Sequence, residues 1–301
     1  MHDLPYQQDP DWKSILERLS HIRLENDYST GNVEFVRESL QSFDDRVRGG
    51  AALAAAGCLF EPNILDQVIG LAEYDENPAI RKAAVQALGE VISEGVEQGL
   101  EDEHGPGTAL DDAEAWEEYQ SGALQDDYLR VKHLLFNLLE FEEDLGMQEL
   151  ALTALADLGF LNEVQQKIGE FFASARASSR LVAVHAMGKY PQFWKDELEA
   201  LVTPDTPAAL LKEAISASYS SESARLAKAI EKVLSHSDPE VLRFAILTLA
   251  NINKTENLPD ILQHFTLHEN SLVQEAARDG IEMYTRANFD KYLKDDLGME
   301  E

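Results

Sequence analysis

Apolar and small residues recur along the chain at the spacing of one face of an α-helix. In seven segments they occupy positions i, i+4, i+7, i+8 and i+11, which lie on one side of a helix. A side chain as small as alanine at the contact lets a neighbouring helix approach closely. An alanine occupies i+4 in every segment: Ala51, Ala84, Ala151, Ala183, Ala214, Ala245 and Ala277. The pattern predicts seven helices that each bury an alanine-centred face.

The seven segments form an internal repeat. Their first positions are separated by 31 to 33 residues, with one step of 67 between the second and third: Val47, Ile80, Met147, Ser179, Leu210, Val241 and Val273. A second amphipathic segment precedes each one, and no strand-like alternation lies between them. A single helix pair cannot bury its apolar face, whereas a stack of pairs can. We therefore predict an all-α, right-handed α-solenoid of seven helix-turn-helix repeats in one domain, 1–301.

The turns between paired helices carry residues that start helices. Asn or Asp followed by Pro is typical of an N-cap and the first helical position. Such signals occur at Asn77-Pro78, Asp205-Thr206-Pro207 and Asp238-Pro239. They predict that a second helix begins at each of these positions.

Two of the copies resemble a known family. The segments NPAIRKAAVQALGEV (Asn77–Val91) and DPEVLRFAILTLANI (Asp238–Ile252) are similar to HEAT repeats, in the short form also found in phycobilisome bilin lyases. The resemblance covers about residues 31–285. Arg48, Arg81 and Arg180 match the arginine of that pattern, and the later copies lack it. The resemblance implies a solenoid whose arginine–aspartate ladder is broken toward the C-terminus, and it says little about function.

Three segments fall outside the repeats. Residues 10–30 are expected to form an N-terminal capping helix, and residues 286–301 a C-terminal cap or tail. Residues 93–127 form an acidic insert between repeats 2 and 3, with Gly105-Pro106-Gly107 as a helix breaker. This insert is interpreted as a degenerate repeat, as an acidic docking or shielding loop with Trp116 as its anchor, or as an insertion without a role. We expect it to lie outside the stack.

The charge of the chain restricts its partners. Against 25 Lys and Arg stand 56 Asp and Glu, which gives a net charge of −31. Such a field repels phosphate backbones and anionic membranes, so we expect neither a nucleic-acid nor a membrane partner. Adaptation to high salt would explain the acidity without any partner. No secretion leader or membrane-spanning run is evident, and the single cysteine, Cys58, cannot form an internal disulfide, so a cytoplasmic location is expected.

Candidate chemistry in the sequence is sparse. His264 and His268 have the i, i+4 spacing of two metal ligands on one helix, but no third ligand stands at a compatible spacing. Common nucleophile and phosphate-binding motifs are missing from the sequence. We therefore predict a protein that is not an enzyme and that holds no metal or cofactor.

The sequence favours a scaffold or adaptor that binds another protein, such as a helix, a tail or a larger complex. Positions +2, +6 and +9 of each second helix, counted from Ile80 and its equivalents, are expected to line a concave face. Few of them are acidic, and apolar residues in such a surface favour binding. The predicted binding residues are Leu53, Lys82, Leu181, His185, Lys212, Tyr219, Arg243 and Leu247, with Trp116 in the insert. The alternative is a bilin lyase-like protein that handles a chromophore.

Overall fold

The computed structural model describes residues 11–101, 123–255 and 257–297, and every regular element in these ranges is helical. The α-helices are α1 (Trp12–Glu25), α2 (Thr30–Ser39), α3 (Asp45–Ala54), α4 (Ile64–Tyr74), α5 (Pro78–Glu97), α6 (Ala123–Phe141), α7 (Leu145–Ala154), α8 (Asn162–Phe172), α9 (Ala177–Met187), α10 (Lys195–Leu201), α11 (Ala208–Ala217), α12 (Ala224–Val233), α13 (Pro239–Ile252), α14 (Leu258–Gln263) and α15 (Ser271–Leu297). Short 3-10 turns cover Ala55–Cys58, Ala156–Leu158, Pro191–Phe193 and His264–Leu267. The predicted all-α fold is confirmed.

The described helices after α1 form seven pairs, and the chain divides into two compact units. The first unit ends at Leu158 and contains α1 followed by the pairs α2–α3, α4–α5 and α6–α7. The second begins at Gly159 and contains α8–α9, α10–α11, α12–α13 and α14–α15. The repeat pattern predicts one solenoid domain and contains no signal of this division, because the repeats of both units share one frame. The right-handed winding stays a prediction.

The repeated alanines at position i+4 lie in the core of both units. All seven alanines at i+4 have a relative exposure of 0%. The seven residues at position i are buried as well, from Met147 at 0% to Leu210 at 7%. Because each alanine sits where the second helices meet their neighbours, the periodic pattern and the packed interior coincide.

Second helices begin where the sequence places their caps. The Asn77 side chain accepts a hydrogen bond from the Ala79 amide at 2.9 Å, and Asp238 accepts one from Glu240 at 2.9 Å. Each satisfies an amide that the first helical turn leaves unpaired, and proline follows at the first helical position. At the third predicted helix start, Asp205-Thr206-Pro207, helix α11 begins after Pro207 without a side-chain cap.

Polar contacts join successive turns of the first unit. Arg48 donates from Nε to Asp75 Oδ2 at 2.9 Å, and Asn77 donates from Nδ2 to Asp45 Oδ2 at 2.9 Å. Lys82 Nζ lies 2.7 Å from Asp144 Oδ2 in the next pair. In the second unit, Arg180 instead lies over the Phe172 ring, 6.0 Å from its centre. Among the described residues, the arginine of the repeat pattern pairs with an aspartate at Arg48, whereas Arg180 keeps the arginine and contacts an aromatic ring instead.

The acidic insert is shorter than predicted. Helix α5 continues to Glu97, and α6 already begins at Ala123, so both ends of the 93–127 segment are helical. The buried Gly95 lies against the ring of Tyr128, which is 1% exposed. Tyr128 donates a hydrogen bond to Glu101 at 2.6 Å, and this contact joins the two ends. Residues 102–122, which include Trp116 and the glycine–proline breaker, lie outside the described residues.

Both ends of the chain also differ from the expected boundaries. The capping helix spans only Trp12–Glu25, because Asn26 takes a left-handed conformation with φ of 53° and ends it. Its Leu16 packs close to Gly50 of α3, where an added Cβ would lie 2.5 Å from the leucine Cδ2. At the other end, residues 286–297 continue α15 and form no separate cap or tail. The last helix therefore extends beyond the last repeat.

Two glycines of the second unit provide a matched stability test. Gly169 lies inside α8, where an added Cβ would have no atom within 4 Å, whereas a Cβ on Gly188 would lie 2.9 Å from the Ala217 Cα. We expect Gly169→Ala to raise the free energy of unfolding by about 0.5–1 kcal/mol, because glycine loses more backbone entropy in a helix. Gly188→Ala should lower it, since backbone atoms must move apart. Urea denaturation of both variants measures the difference, and equal signs would contradict the packing of α9 against α11.

Candidate functional site

The second helices of the first unit expose part of the predicted surface. Leu53 of α3 is half-buried, and Gln86 of α5 and Thr153 of α7 are exposed. Lys82 is half-buried and paired with Asp144, so part of its charge is neutralised within the unit. The predicted positions therefore reach solvent here, although Lys82 also holds two pairs together.

Two adjoining cavities open beside Leu53. The larger has a volume of about 350 Å³ and the smaller one of about 290 Å³, and Arg23 and Leu53 line both. Helices α1, α3 and α5 contribute the walls. The larger cavity is lined by Arg23, Asn26, Tyr28, Leu53, Ala56, Gly57, Gln86, Ala87 and Glu90. Leu53, Ala56 and Gln86 come from the face that the helical periodicity predicts as open, so this face is concave at least around Leu53.

Tyr28 in the wall of the larger cavity was not predicted from the sequence. Its hydroxyl donates a hydrogen bond to the Ala54 carbonyl oxygen at 3.1 Å, which holds the loop between α1 and α2 against α3. A Cβ on Gly57 would lie 2.1 Å from the tyrosine Cε2, so only glycine fits beneath the ring. Burial raises the pKa of the Tyr28 phenol, and the neighbouring Cys58 adds to this rise. In the sequence, Gly57 after α3 is the only indication of this close packing.

The second unit presents the other predicted residues on α9, α11 and α13. Tyr219, just beyond α11, is 41% exposed. His185 is exposed, and its Nδ1 lies 3.0 Å from Glu213 Oε1. Four further side chains are half-buried: Leu181, Lys212, Arg243 and Leu247. The surface therefore combines a partly exposed aromatic ring with aliphatic and basic groups.

Contacts between neighbouring helices bring these residues onto one surface. The His185–Glu213 contact joins α9 to α11. Asn251 of α13 donates from Nδ2 to the Tyr219 carbonyl oxygen at 2.8 Å and so joins α13 to the end of α11. We call the outward positions of α9, α11 and α13 the second-helix face of the second unit. The six predicted binding residues of this face are exposed or half-buried, and their role in binding stays a prediction.

Two predicted outward positions are buried. Ala156 is 0% exposed, because α7 ends at Ala154 and a 3-10 turn follows, so the advance of 100° per residue no longer holds. Ala250 is 2% exposed, because the long helix α15 packs closely against α13. A Cβ on Gly280 of α15 would lie 3.6 Å from the Ala250 Cβ. The exposure predicted from helical periodicity is therefore wrong after the end of α7 and where α15 covers α13.

The two candidate metal-binding histidines do not share a helix. His264 lies in a 3-10 turn after α14, and His268 follows that turn in an extended conformation. The His268 Nδ1 accepts a hydrogen bond from the Asn270 amide at 3.1 Å, and its ring stacks near Phe265. Within residues 11–101, 123–255 and 257–297, no three metal-ligating side chains are grouped for an ion.

Cys58 lies in the 3-10 turn after α3 and is 6% exposed. Burial, followed by the nearby Glu61 carboxylate, raises the pKa of its thiol to about 11. At neutral pH it is therefore protonated and packs as a small apolar side chain, as the sequence indicates.

Among the described helices, none is both long and apolar enough to cross a membrane.

Two solved structures are similar to this chain. An archaeal HEAT-like repeats protein from Thermococcus onnurineus NA1 shares 15% identity with a TM-score of 0.34, and the match covers 93% of this chain and 99% of that one. An engineered protein shares 18% identity with a TM-score of 0.39, over 94% of this chain and 89% of that one. No protein-family model matches the sequence, and no curated protein matches it. The description of the chain as a helical repeat rests on the helix pairs of its described residues.

Proposed function

We propose that this chain of HEAT-like repeats is a non-enzymatic scaffold that binds another protein on the second-helix face of its second unit. The observation that carries the proposal is Tyr219, an aromatic residue that is 41% exposed on a face joined by side-chain contacts across three helices. Tyrosine and arginine are enriched among residues that dominate binding energy. A repeat scaffold presents such residues on a surface whose shape is held by neighbouring repeats.

The electrostatic character of this face supports the same proposal. In a chain of net charge −31, the predicted outward positions of this face carry Lys212 and Arg243 and no acid, and Glu213 and Glu240 beside them contact His185 and Arg243. Arg243 lies 5.3 Å from the centre of the Phe244 ring and 3.5 Å from Glu240, so its guanidinium is held near the surface. Charged residues are depleted at the core of protein interfaces, where aromatic residues and arginine are enriched. The partner is expected to bring acidic groups to Lys212 and Arg243.

The test is affinity capture from the native source with Tyr219→Ala plus Arg243→Glu. We expect recovery of the stoichiometric partner, identified by mass spectrometry, to fall about tenfold or more, as for loss of hot-spot residues. The matched control is Phe193→Ala plus Arg225→Glu, which also removes one aromatic ring and reverses one arginine charge, on the first-helix side of the same unit. Phe193 is 50% exposed, and Arg225 makes ion pairs at the surface, whose loss costs little stability.

The two double variants separate binding from folding. Thermal melts should match the unsubstituted protein for both, because all four side chains are at least partly exposed. If the control loses the partner as completely as the test variant, the second-helix face is not the binding site. If neither variant affects capture, the proposal for this face is wrong. Nothing in the described residues favours the bilin lyase-like alternative over a protein-binding role.

A further inference from the structure

Three aromatic rings project from one edge of the first unit. Phe43 is 80% exposed, Tyr74 is 78% exposed and Phe141 is 78% exposed. Each lies at the end of a first helix or in the turn that leads to the second helix of its pair. Large aromatic side chains with so little contact contribute almost nothing to the core. A row of them, one in each of three successive pairs, is typical of a surface that binds something.

The three turns are held side by side by the contacts already described. Asp45 and Arg48 beside the first turn bond to Asn77 and Asp75 beside the second. Lys82, near the start of α5, pairs with Asp144 beside the third. These contacts fix the order and spacing of the turns, so the rings form one row. We call this row, with its flanking acidic residues, the turn edge.

Acidic side chains flank the second and third rings. Glu73 and Glu76 lie on either side of Tyr74, and Glu143 lies two residues after Phe141. All three carboxylates are exposed, and none of them forms an ion pair with a described residue. The nearby cations are directed elsewhere: Arg48 and Lys82 pair with Asp75 and Asp144, and Arg81 donates a hydrogen bond to the Asp75 carbonyl oxygen. The turn edge therefore presents aromatic faces beside negative charge that the unit itself does not neutralise.

The first turn shows how a guanidinium binds at this edge. Arg46 donates to Asp44 from Nε at 2.9 Å and from Nη2 at 2.6 Å. The same guanidinium lies over the ring of Trp12, with 3.8 Å between its Cζ and the ring centre. A fork of two hydrogen bonds to a carboxylate and a stacked aromatic ring is the arrangement that arginine favours and lysine cannot reproduce. At Tyr74 and Phe141 no guanidinium of the described residues lies over the ring, and the nearby Arg48 and Arg81 bind Asp75 instead.

We propose that the turn edge of the first unit is a docking site for an arginine-bearing extended segment of a partner protein. Guanidinium groups of that segment stack on Tyr74 and Phe141 and pair with Glu73, Glu76 and Glu143. Neighbouring helices in such stacks lie about 8–10 Å apart. A segment in the polyproline II conformation advances about 3.1 Å per residue with three residues per turn, so arginines three residues apart lie on one side of it and match successive turns. This site is separate from the second-helix face and does not depend on it.

Binding of a defined peptide tests the proposal. The probe is a fluorescent peptide with arginine at every third position and glycine or serine elsewhere, measured by anisotropy at low salt with the full chain. We expect the variant Tyr74→Ser plus Phe141→Ser to weaken binding about five- to twentyfold, as for loss of two exposed cation–π contacts. Glu76→Gln plus Glu143→Gln should weaken it as well. Both double variants change only exposed side chains, so their melts should match the unsubstituted protein.

Controls separate the site from general attraction to an acidic protein. Phe60→Ser removes another exposed ring of the same unit, at the connection between two pairs, and should leave the affinity unchanged. A lysine peptide of equal charge should bind several-fold more weakly, because ammonium groups do not stack and fork in this way. Equal affinity for the two peptides, or undiminished binding by the Tyr74 and Phe141 variant, would overturn the proposal. So would self-association that this variant abolishes in sedimentation, since the edge would then bind a second copy.

Discussion

Truncation of Tyr128 to alanine is expected to destabilise the first unit by about 3–5 kcal/mol, the range for a large buried aromatic residue. The side chain is 1% exposed and fills the space left by Gly95, where an added Cβ would lie 2.2 Å from the tyrosine ring. Its hydroxyl donates to Glu101, which also accepts from Lys132 Nζ at 2.6 Å. Alanine therefore leaves a cavity between α5 and α6 and removes one partner of a half-buried carboxylate.

Urea denaturation followed by far-ultraviolet circular dichroism measures this loss. The matched control is Tyr128→Phe, which keeps the ring and removes only the hydroxyl. It should cost about 1 kcal/mol, the net value of one hydrogen bond, because Lys132 still satisfies Glu101. A variant Gly95→Ala should also be destabilised, since the pinned ring cannot move aside. If Tyr128→Ala unfolds at the same urea concentration as the unsubstituted protein, α6 does not pack on α5 as described.

Enlargement of Ala245 to leucine should cost about 1–3 kcal/mol, the usual penalty of overpacking a well-filled interior. Ala245 is 0% exposed in the middle of α13, where the helix is covered by its neighbours in the second unit. Three additional carbon atoms cannot be accommodated unless a neighbouring helix moves. The expected result is a lower melting temperature with an unchanged helical spectrum at low temperature.

Ala209→Leu provides the control for this substitution. Ala209 lies in the first turn of α11 in the same unit and is exposed, so the same chemical change meets only solvent. Its stability should stay within the range of ordinary surface changes, about 0.5 kcal/mol in either direction. If Ala245→Leu leaves the melting temperature unchanged, the repeated alanines at i+4 do not lie at the contacts between helices.

The sequence alone determined the repeat and its buried face. Burial of small side chains at i+4 follows from helical periodicity, which is local, and all seven alanines are fully buried. The caps at Asn77 and Asp238 were equally local, because a side chain two residues away satisfies the amide. The same periodicity placed Tyr219 and His185 on exposed positions, but it wrongly predicted that Ala156 and Ala250 reach solvent. These predictions needed no knowledge of which helices meet.

The tertiary structure alone decided which distant residues meet. Tyr28 packs on Gly57 and Tyr128 packs on Gly95, and each glycine reads in the sequence only as a flexible or helix-weakening residue. The ends of the insert depend on the contact between Tyr128 and Gly95. The glycines and acidic residues at these ends predict a loop, whereas the tertiary packing keeps them helical. The turn edge likewise exists because Arg48, Asn77 and Lys82 align three turns that are far apart in the chain. Periodicity specifies the face that each helix buries, but only packing in three dimensions selects the partner for that face.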